Sequence, residues 1–311
     1  MMQVPTQALG HGITLIDVQI GRPNVVAAYL LQQGDRAVFI DTGATRSVPA
    51  LLQVLENQGV ERGRVDYVIP THVHLDHGGG AGALLEYLPE AQLIVHPLGA
   101  RHMIDPTKLN AGATAVYGEE VMQRVFGDLV PVPEERVIIA EDGFEVDWQG
   151  RLLKFLDTPG HARHHFSVVD AASDGVFTGD AFGLSYREFD TDETGNFGLP
   201  TSSPIQFDPE AMHASVDKII NAGQRYCYVT HFGRVQDVKR IQGNLHELID
   251  IYVQTAAVYA EQAAEGHQAL SAALMDIILD RAVQHGCDMP RDIMADLLQM
   301  DMDLNAMGLI K

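Results

Sequence analysis

Between residues 72 and 77 the chain reads His72-Val73-His74-Leu75-Asp76-His77, four potential metal ligands in six residues. The apolar run Val65-Asp66-Tyr67-Val68-Ile69 precedes it and Gly78-Gly79-Gly80 follows. Three imidazoles and a carboxylate crowd badly in an apolar interior, because each buried polar atom needs a partner and a carboxylate needs a cation. A divalent metal ion answers both needs. In an extended segment residues two apart point to the same side, so His72 and His74 can share one ion. Asp76 and His77, carried round the turn by three glycines, can reach a second. The zinc-protease pattern His-Glu-x-x-His sets two histidines on one helix face; here the ligands stand at a strand end. A lone histidine is usually solvated or structural, but a strand before and glycines after are the context a metal motif needs.

If loops converge on such a centre, further ligands belong at later strand ends. Residues 152–156 run into Asp157-Thr158-Pro159-Gly160-His161, Val176-Phe177 into Thr178-Gly179-Asp180, and Tyr228-Val229 into Thr230-His231-Phe232-Gly233. Three times an apolar strand stops at a histidine or aspartate beside a glycine.

The ordered set His72-x-His74-x-Asp76-His77, Thr-Pro-Gly-His161, Thr-Gly-Asp180 and Thr-His231, with Ile40-Asp41-Thr42-Gly43 upstream, resembles the metallo-β-lactamase superfamily of hydrolases. The resemblance spans about residues 10–235. It implies an α/β fold, a four-layer αββα sandwich, with a dinuclear site at one edge of the paired sheets. It also implies that His72, His74 and His161 hold one divalent ion, that Asp76, His77 and His231 hold the other, and that Asp180 bridges them. Zinc is the expected ion, and iron or manganese suits the same donors. A catalytic site keeps a position open for water, and a bound metal brings the pKa of water from about 15.7 to about 7. The expected activity is therefore cleavage of an ester, thioester or lactone of a small molecule by a metal-bridging hydroxide, with Asp76 and Asp180 as the catalytic carboxylates.

Branches of the family differ outside the ligands. Thioesterases of the glyoxalase II type carry helices after the sandwich, as this chain does, but the basic cluster expected for glutathione is not seen. Lactonases place a tyrosine soon after the bridging aspartate; Tyr186, with Arg187 beside it, comes six residues after Asp180 and is the candidate substrate contact. Flavin-linked di-iron enzymes usually have glutamate at the position of His74, and persulfide dioxygenases use one iron and fewer ligands. An iron-dependent oxygenase or oxidoreductase, or a lapsed metal-binding module, are the alternatives to a hydrolase.

These ligands require strands to deliver them. Residues 13–20, 25–31 and 37–40 read as a β-meander, 48–55 as a helix ended by Gly59, 65–69 as the strand before the cluster, 80–88 as a helix and 92–95 as a strand. Residues 97–127 read as a helical insertion that walls a pocket. Strands return at 136–139, 144–148, 151–156, 166–169 and 175–178, then a helix at 209–222 and a last strand at 226–229. Beyond Gly233 only helices are expected: a stripe of Val238, Ile241, Leu245, Leu248, Ile249, Tyr252 and Val253, then 270–283 and 293–304, split by Gly266 and by Met289-Pro290. The expected division is a catalytic domain over 1–235 and a helical extension over 236–311, which packs on the body or on a second copy in a homodimer.

Other polar residues read more modestly. His164 and His165 are expected to bond backbone carbonyls, with one of them lining the site as the lesser option. His96 and His102 are expected to be structural or solvated. Asp41 is expected to accept a proton from a ligand imidazole and fix its tautomer, unless it merely caps the next helix. Cys227 and Cys287 are too few for a disulfide framework and are expected to be buried thiols.

The 311 residues are 46% hydrophobic and 20% charged, a globular composition. Asp plus Glu outnumber Lys plus Arg by 42 to 21, a net charge of −21, which repels phosphate backbones and disfavours nucleic acid as a partner. No run reaches the roughly 20 apolar residues that span a bilayer, and Met1 to Gln7 lacks the pattern of a signal peptide. A cytoplasmic protein with a small-molecule substrate and no membrane partner is expected.

Overall fold

The computed structural model describes residues 4–202, 204, 206–259 and 263–310. Part of the N-terminal stretch read for a leader, residues 1–3, lies outside the described residues. Two sheets form the centre. The first runs in the order β1 (Thr6–Gly10), β2 (Ile13–Asp17), β3 (Ala27–Gln33), β4 (Arg36–Ile40), β5 (Val65–Ile69), β6 (Gln92–Val95) and β7 (Val137–Ile139). The second contains β8 (Glu145–Trp148), β9 (Arg151–Asp157), β10 (Phe166–Asp170), β11 (Gly175–Gly179), β12 (Tyr226–Val229) and β13 (Gly233–Val235). Pairing is antiparallel through β1 to β4 and parallel through β4 to β7; in the second sheet only β11 and β12 run parallel.

Period-two burial explains the layers. In β4, Val38 and Ile40 face the second sheet, whereas Ala37 and Phe39 face helices on the other side. Between the sheets Tyr29, Phe177 and Tyr228 interlock, with Phe177 and Tyr228 stacked at 4.6 Å and the Tyr29 ring edge-on to Phe177 at 5.0 Å. The Tyr29 hydroxyl donates to the Val229 carbonyl, tying β3 to β12. Helices α1 (Val48–Asn57), α2 (Ala81–Leu85) and α3 (Pro97–Ile104) cover the outer face of the first sheet. The insertion continues through α4 (Thr107–Tyr117), α5 (Glu119–Val121) and a π turn at Met122–Phe126. On the outer face of the second sheet lie α6 (Pro209–Asn221) and the start of α7 (Val238–Tyr259).

Two strands depart from expectation. β1 was not anticipated because only Leu9 of its five residues is buried, leaving no alternation to read. β13 follows β12 where helices alone were expected; three residues carry no periodic signal, and pairing with β12 makes this strand. The helix expected over 80–88 is shorter, Ala81–Leu85. Gly266 does not separate helices but lies inside α8 (Ala263–Gln284), which is followed by α9 (Arg291–Leu309). The α7 stripe is buried as expected except for Val253, 38% exposed. Cys227 and Cys287 are buried free thiols.

The three C-terminal helices pack on the body. Leu248 and Tyr252 of α7, Leu270 and Leu274 of α8, and Leu298 and Met302 of α9 join the same apolar cluster as Leu15, Tyr29 and Phe177. α9 also reaches polar groups of the body. The Asn305 side chain accepts from the Ser202 N–H at 2.7 Å, and Asp301 accepts from the Tyr186 hydroxyl at 3.1 Å. Burial pushes the Asp301 carboxyl up to about 6, against the pull of His231, the Tyr186 hydrogen bond and Arg22. The folded chain thus holds this proton more tightly than the unfolded chain, whose value is near 3.8. Stability falls as pH rises through that window, and the whole penalty is present above it. Asp301→Asn, which keeps an acceptor for Tyr186, is expected to raise the melting temperature at pH 8 and to leave it unchanged at pH 4. Calorimetry at the two pH values checks this, and an equal effect at both would contradict it.

Candidate metal centre

The 72–77 segment leaves β5 and folds back on itself, with the Gly78 N–H bonded to the His74 carbonyl at 2.8 Å. The glycines that follow are needed for closeness. A Cβ on Gly79 would strike the Leu75 carbonyl, and one on Gly80 would meet the Ala44 carbonyl at 2.7 Å. The Thr42 N–H and hydroxyl both donate to the His77 carbonyl at 2.8 Å, fixing the turn against the end of β4. His161 is delivered by Thr158-Pro159-Gly160, where Gly160 has φ +124° and lies against the backbone of Met212, so only glycine fits. Asp180 directly follows β11, and His231 lies two residues beyond β12.

These segments bring all seven predicted ligands together. His72 Nε2 lies 2.8 Å from His74 Nδ1, which lies 3.1 Å from His161 Nε2. His77 Nε2 and His231 Nε2 stand 3.5 and 3.4 Å from Asp76 Oδ2. Asp180 lies between the two groups. Its Oδ2 is 3.4 Å from His161, and its Oδ1 is 3.3 Å from His77 and 3.5 Å from His231. His72, His74 and His161 form one trio with ligand atoms within 4.8 Å of one another, and Asp76, His77 and His231 form another.

The outward ring nitrogens decide which nitrogens face inward. His231 Nδ1 donates to the Val25 carbonyl at 2.8 Å, and His77 Nδ1 lies 3.1 Å from Asp41 Oδ2. Such partners fix the tautomer and leave a bare Nε2 for a metal. His77 Nε2 and Asp180 Oδ1 are buried with no hydrogen-bond partner. Buried polar atoms are rarely left so, and a divalent cation satisfies both, so the donor set fits a metal.

Electrostatics divide the cluster. Burial, reinforced by neighbouring imidazoles, depresses His72 and takes His74 down to about 3, so these nitrogens keep their lone pairs. Burial also opposes charge on His77 and His231, but Asp180 and Asp76 outweigh it and raise both. The carboxylates of Asp76 and Asp180 are held low, against burial, chiefly by His77. Without metal, protons on His77 and His231 therefore do a cation's work.

Asp41 is the support beneath the ligands. This fully buried residue has φ +56°, a left-handed backbone unusual outside glycine. It accepts from the Thr71 N–H at 2.7 Å, the Thr71 hydroxyl and the Thr230 hydroxyl at 2.7 Å, besides facing His77. It does not cap the next helix. His165 is not bonded to a backbone carbonyl. Its Nδ1 lies 2.9 Å from the Thr158 hydroxyl, and its Nε2 accepts from the Asp180 N–H at 3.1 Å. The hint was its place four residues after His161, which alone gave no role. His164 has a buried Nδ1 without a partner, stacks parallel to His72 at 6.1 Å, and is depressed to about 2 by burial. His96 is structural, accepting from the Leu98 N–H and pairing with Asp157.

Tyr186 and Arg187 are placed differently from the ligands. Tyr186 is 2% exposed, its ring 6.5 Å from that of His231, and its hydroxyl is held by Asp301. Arg187 donates to Asp190 and to the Arg234 carbonyl.

The family model described as the metallo-beta-lactamase superfamily matches residues 21–231. A metallo-beta-lactamase fold-containing protein, ST1585, of Sulfurisphaera tokodaii is 29% identical over 59% of this chain and 64% of its own. The crystal structure reported for ST1585 from Sulfolobus tokodaii superposes with a TM-score of 0.63 at 26% identity, over 76% of this chain and 86% of that one. An atrochrysone carboxyl ACP thioesterase of Aspergillus fumigatus is 27% identical over 49% of this chain and 38% of its own. A hydroxyacylglutathione hydrolase of Aeromonas hydrophila is 23% identical over 61% of this chain and 54% of its own. The chain thus spans less than two thirds of the length of these three relatives.

Two outcomes are expected. Asp41→Asn should weaken metal affinity by roughly 10–100-fold, the usual cost of losing a group that orients a ligand. Because metal must displace protons from His77 and His231, affinity should rise between pH 6 and pH 8 by about tenfold per pH unit for each proton displaced. Competition titration with a chromophoric chelator measures both, and a flat pH response would sink the second.

Proposed function

The chain belongs to the metallo-beta-lactamase superfamily, and from that premise we propose that it is a dinuclear metal-dependent hydrolase of a small ester, thioester or lactone. The observation that carries the reading is the pair of ligand trios facing each other across Asp180. His72, His74 and His161 would hold one ion, and Asp76, His77 and His231 the other, with one oxygen of Asp180 toward each. Zinc is the ion we assign, on nitrogen and carboxylate donors that iron and manganese also accept. Two relatives support an acyl bond as the target: one is named an acyl-carrier thioesterase, the other a hydroxyacylglutathione hydrolase.

Bound there, divalent ions supply an acidified water at neutral pH and polarise a carbonyl oxygen. The protein's own groups set the conditions. Asp180 is 6% exposed at its side chain and stays ionised between the trios. Asp76, with a side chain 27% exposed, is the more open carboxylate and would pass a proton to the leaving group. His165 holds the Asp180 backbone, and Asp41 holds His77, so neither ligand needs to reorganise during reaction.

Purified protein is expected to carry two divalent ions per chain by mass spectrometry. It should hydrolyse at least one of an aryl ester, an acyl thioester and an acyl-homoserine lactone. His72→Ala combined with Asp180→Ala should lose both properties, and hydrolysis surviving in a metal-free double variant would overturn the reading.

A further inference from the structure

The insertion carries a tyrosine in the apolar cluster that reaches the ligand segment. α4 ends at Tyr117, whose ring packs on Phe126 of the π turn at 5.1 Å. Both belong to an apolar cluster with Ala44, Met122 and Leu75, and Leu75 is the residue between His74 and Asp76. The ring therefore belongs to the apolar cluster that reaches the metal-ligand segment at Leu75. Burial keeps its hydroxyl protonated, with the charges of Asp76 and Asp180 acting in the same sense and His77 opposing them. Among the described residues this hydroxyl has no hydrogen-bond partner.

The support is built to keep the ring in place. Arg46 Nε donates to the Gln123 carbonyl at 2.7 Å and the Thr45 hydroxyl to the Asp128 carbonyl at 2.8 Å, clamping the π turn and its exit to the start of α1. Irregular π turns of this kind are frequent at functional sites. Leu109, Ala113 and Val121 are only partly buried around the ring, leaving apolar surface next to a free donor.

We propose that Tyr117 is a catalytic residue that donates its phenolic hydrogen bond to the carbonyl oxygen of an acyl substrate, whose hydrocarbon portion lies on Leu109, Ala113 and Val121. This rests on the hydrolase reading for its substrate class. The donor strengthens its bond as negative charge grows on that oxygen, and no proton need be transferred. Because the ring is clamped, the hydrogen bond requires no closure of the insertion.

Tyr117→Phe removes one oxygen and keeps the packing on Phe126. The variant should retain wild-type metal content, lower kcat for an octanoyl ester or thioester by roughly 100-fold, and change KM little. A second readout does not depend on turnover. In protein labelled with ζ-carbon-13 tyrosine, the resonance missing from Tyr117→Phe identifies Tyr117. It should broaden when cobalt(II) is loaded into the metal-depleted protein. A resonance left sharp by cobalt, or a kcat within twofold of wild type, would overturn the assignment. If wild-type protein hydrolyses none of the acyl probes, the hydrolase reading fails separately. Octylphosphonate binding by the cobalt-loaded protein then decides: a tenfold loss of affinity in Tyr117→Phe supports the contact, and equal affinity rejects it.

Discussion

A buried carboxylate that touches two sheets is the constraint on which the site depends. Asp41 stands at the end of β4 and is met by donors from the segments that follow β5 and β12. Burying a carboxylate without partners is prohibitively costly. The chain meets that cost by bringing Thr71, Thr230 and His77 to it, so the geometry that satisfies Asp41 also sets two metal-ligand segments in register. Its left-handed backbone is then understandable as local strain held in place by surrounding bonds.

The ligands repeat the same logic at closer quarters. Two carboxylates and five imidazoles share a space from which water is largely excluded. Burial, with neighbouring imidazoles behind it, keeps the His72 and His74 nitrogens unprotonated, while the carboxylates keep His77 and His231 protonated until something of greater charge arrives. The sheets hold this arrangement because their shared core is rigid and aromatic. Phe177 and Tyr228 stack at its centre, and the strands carrying them lead into Asp180 and His231.

The residues of the centre could be read from the chain because metal ligation leaves a dense local mark: four donors in six residues, and three strand ends closing on histidine or aspartate. The layers could be read because β4 and β5 alternate or run apolar over short lengths between turn residues. β1 and β13 could not, since pairing with a neighbour and not their own pattern makes them strands. Nor could the parts of His165 and Tyr117. The first depends on where Gly179 turns the chain, and the second on an irregular π turn whose Phe126 packs on a ring otherwise indistinguishable from an apolar helix residue. Tyr186 shows the converse: its distance from Asp180 along the chain said nothing of the aspartate that α9 brings to its hydroxyl.

The contacts of α9 bear on how this architecture can be divided. Asn305 bonds to Ser202 and Asp301 to Tyr186, at opposite ends of the long connection after β11, while Leu298 and Met302 sit in the core shared by both sheets. A chain cut before α9 would therefore lose more than an appendage. It would uncover hydrocarbon normally shielded from water and release the anchors of a loop that borders His231, so the last helix is coupled to the ligand segments through that loop.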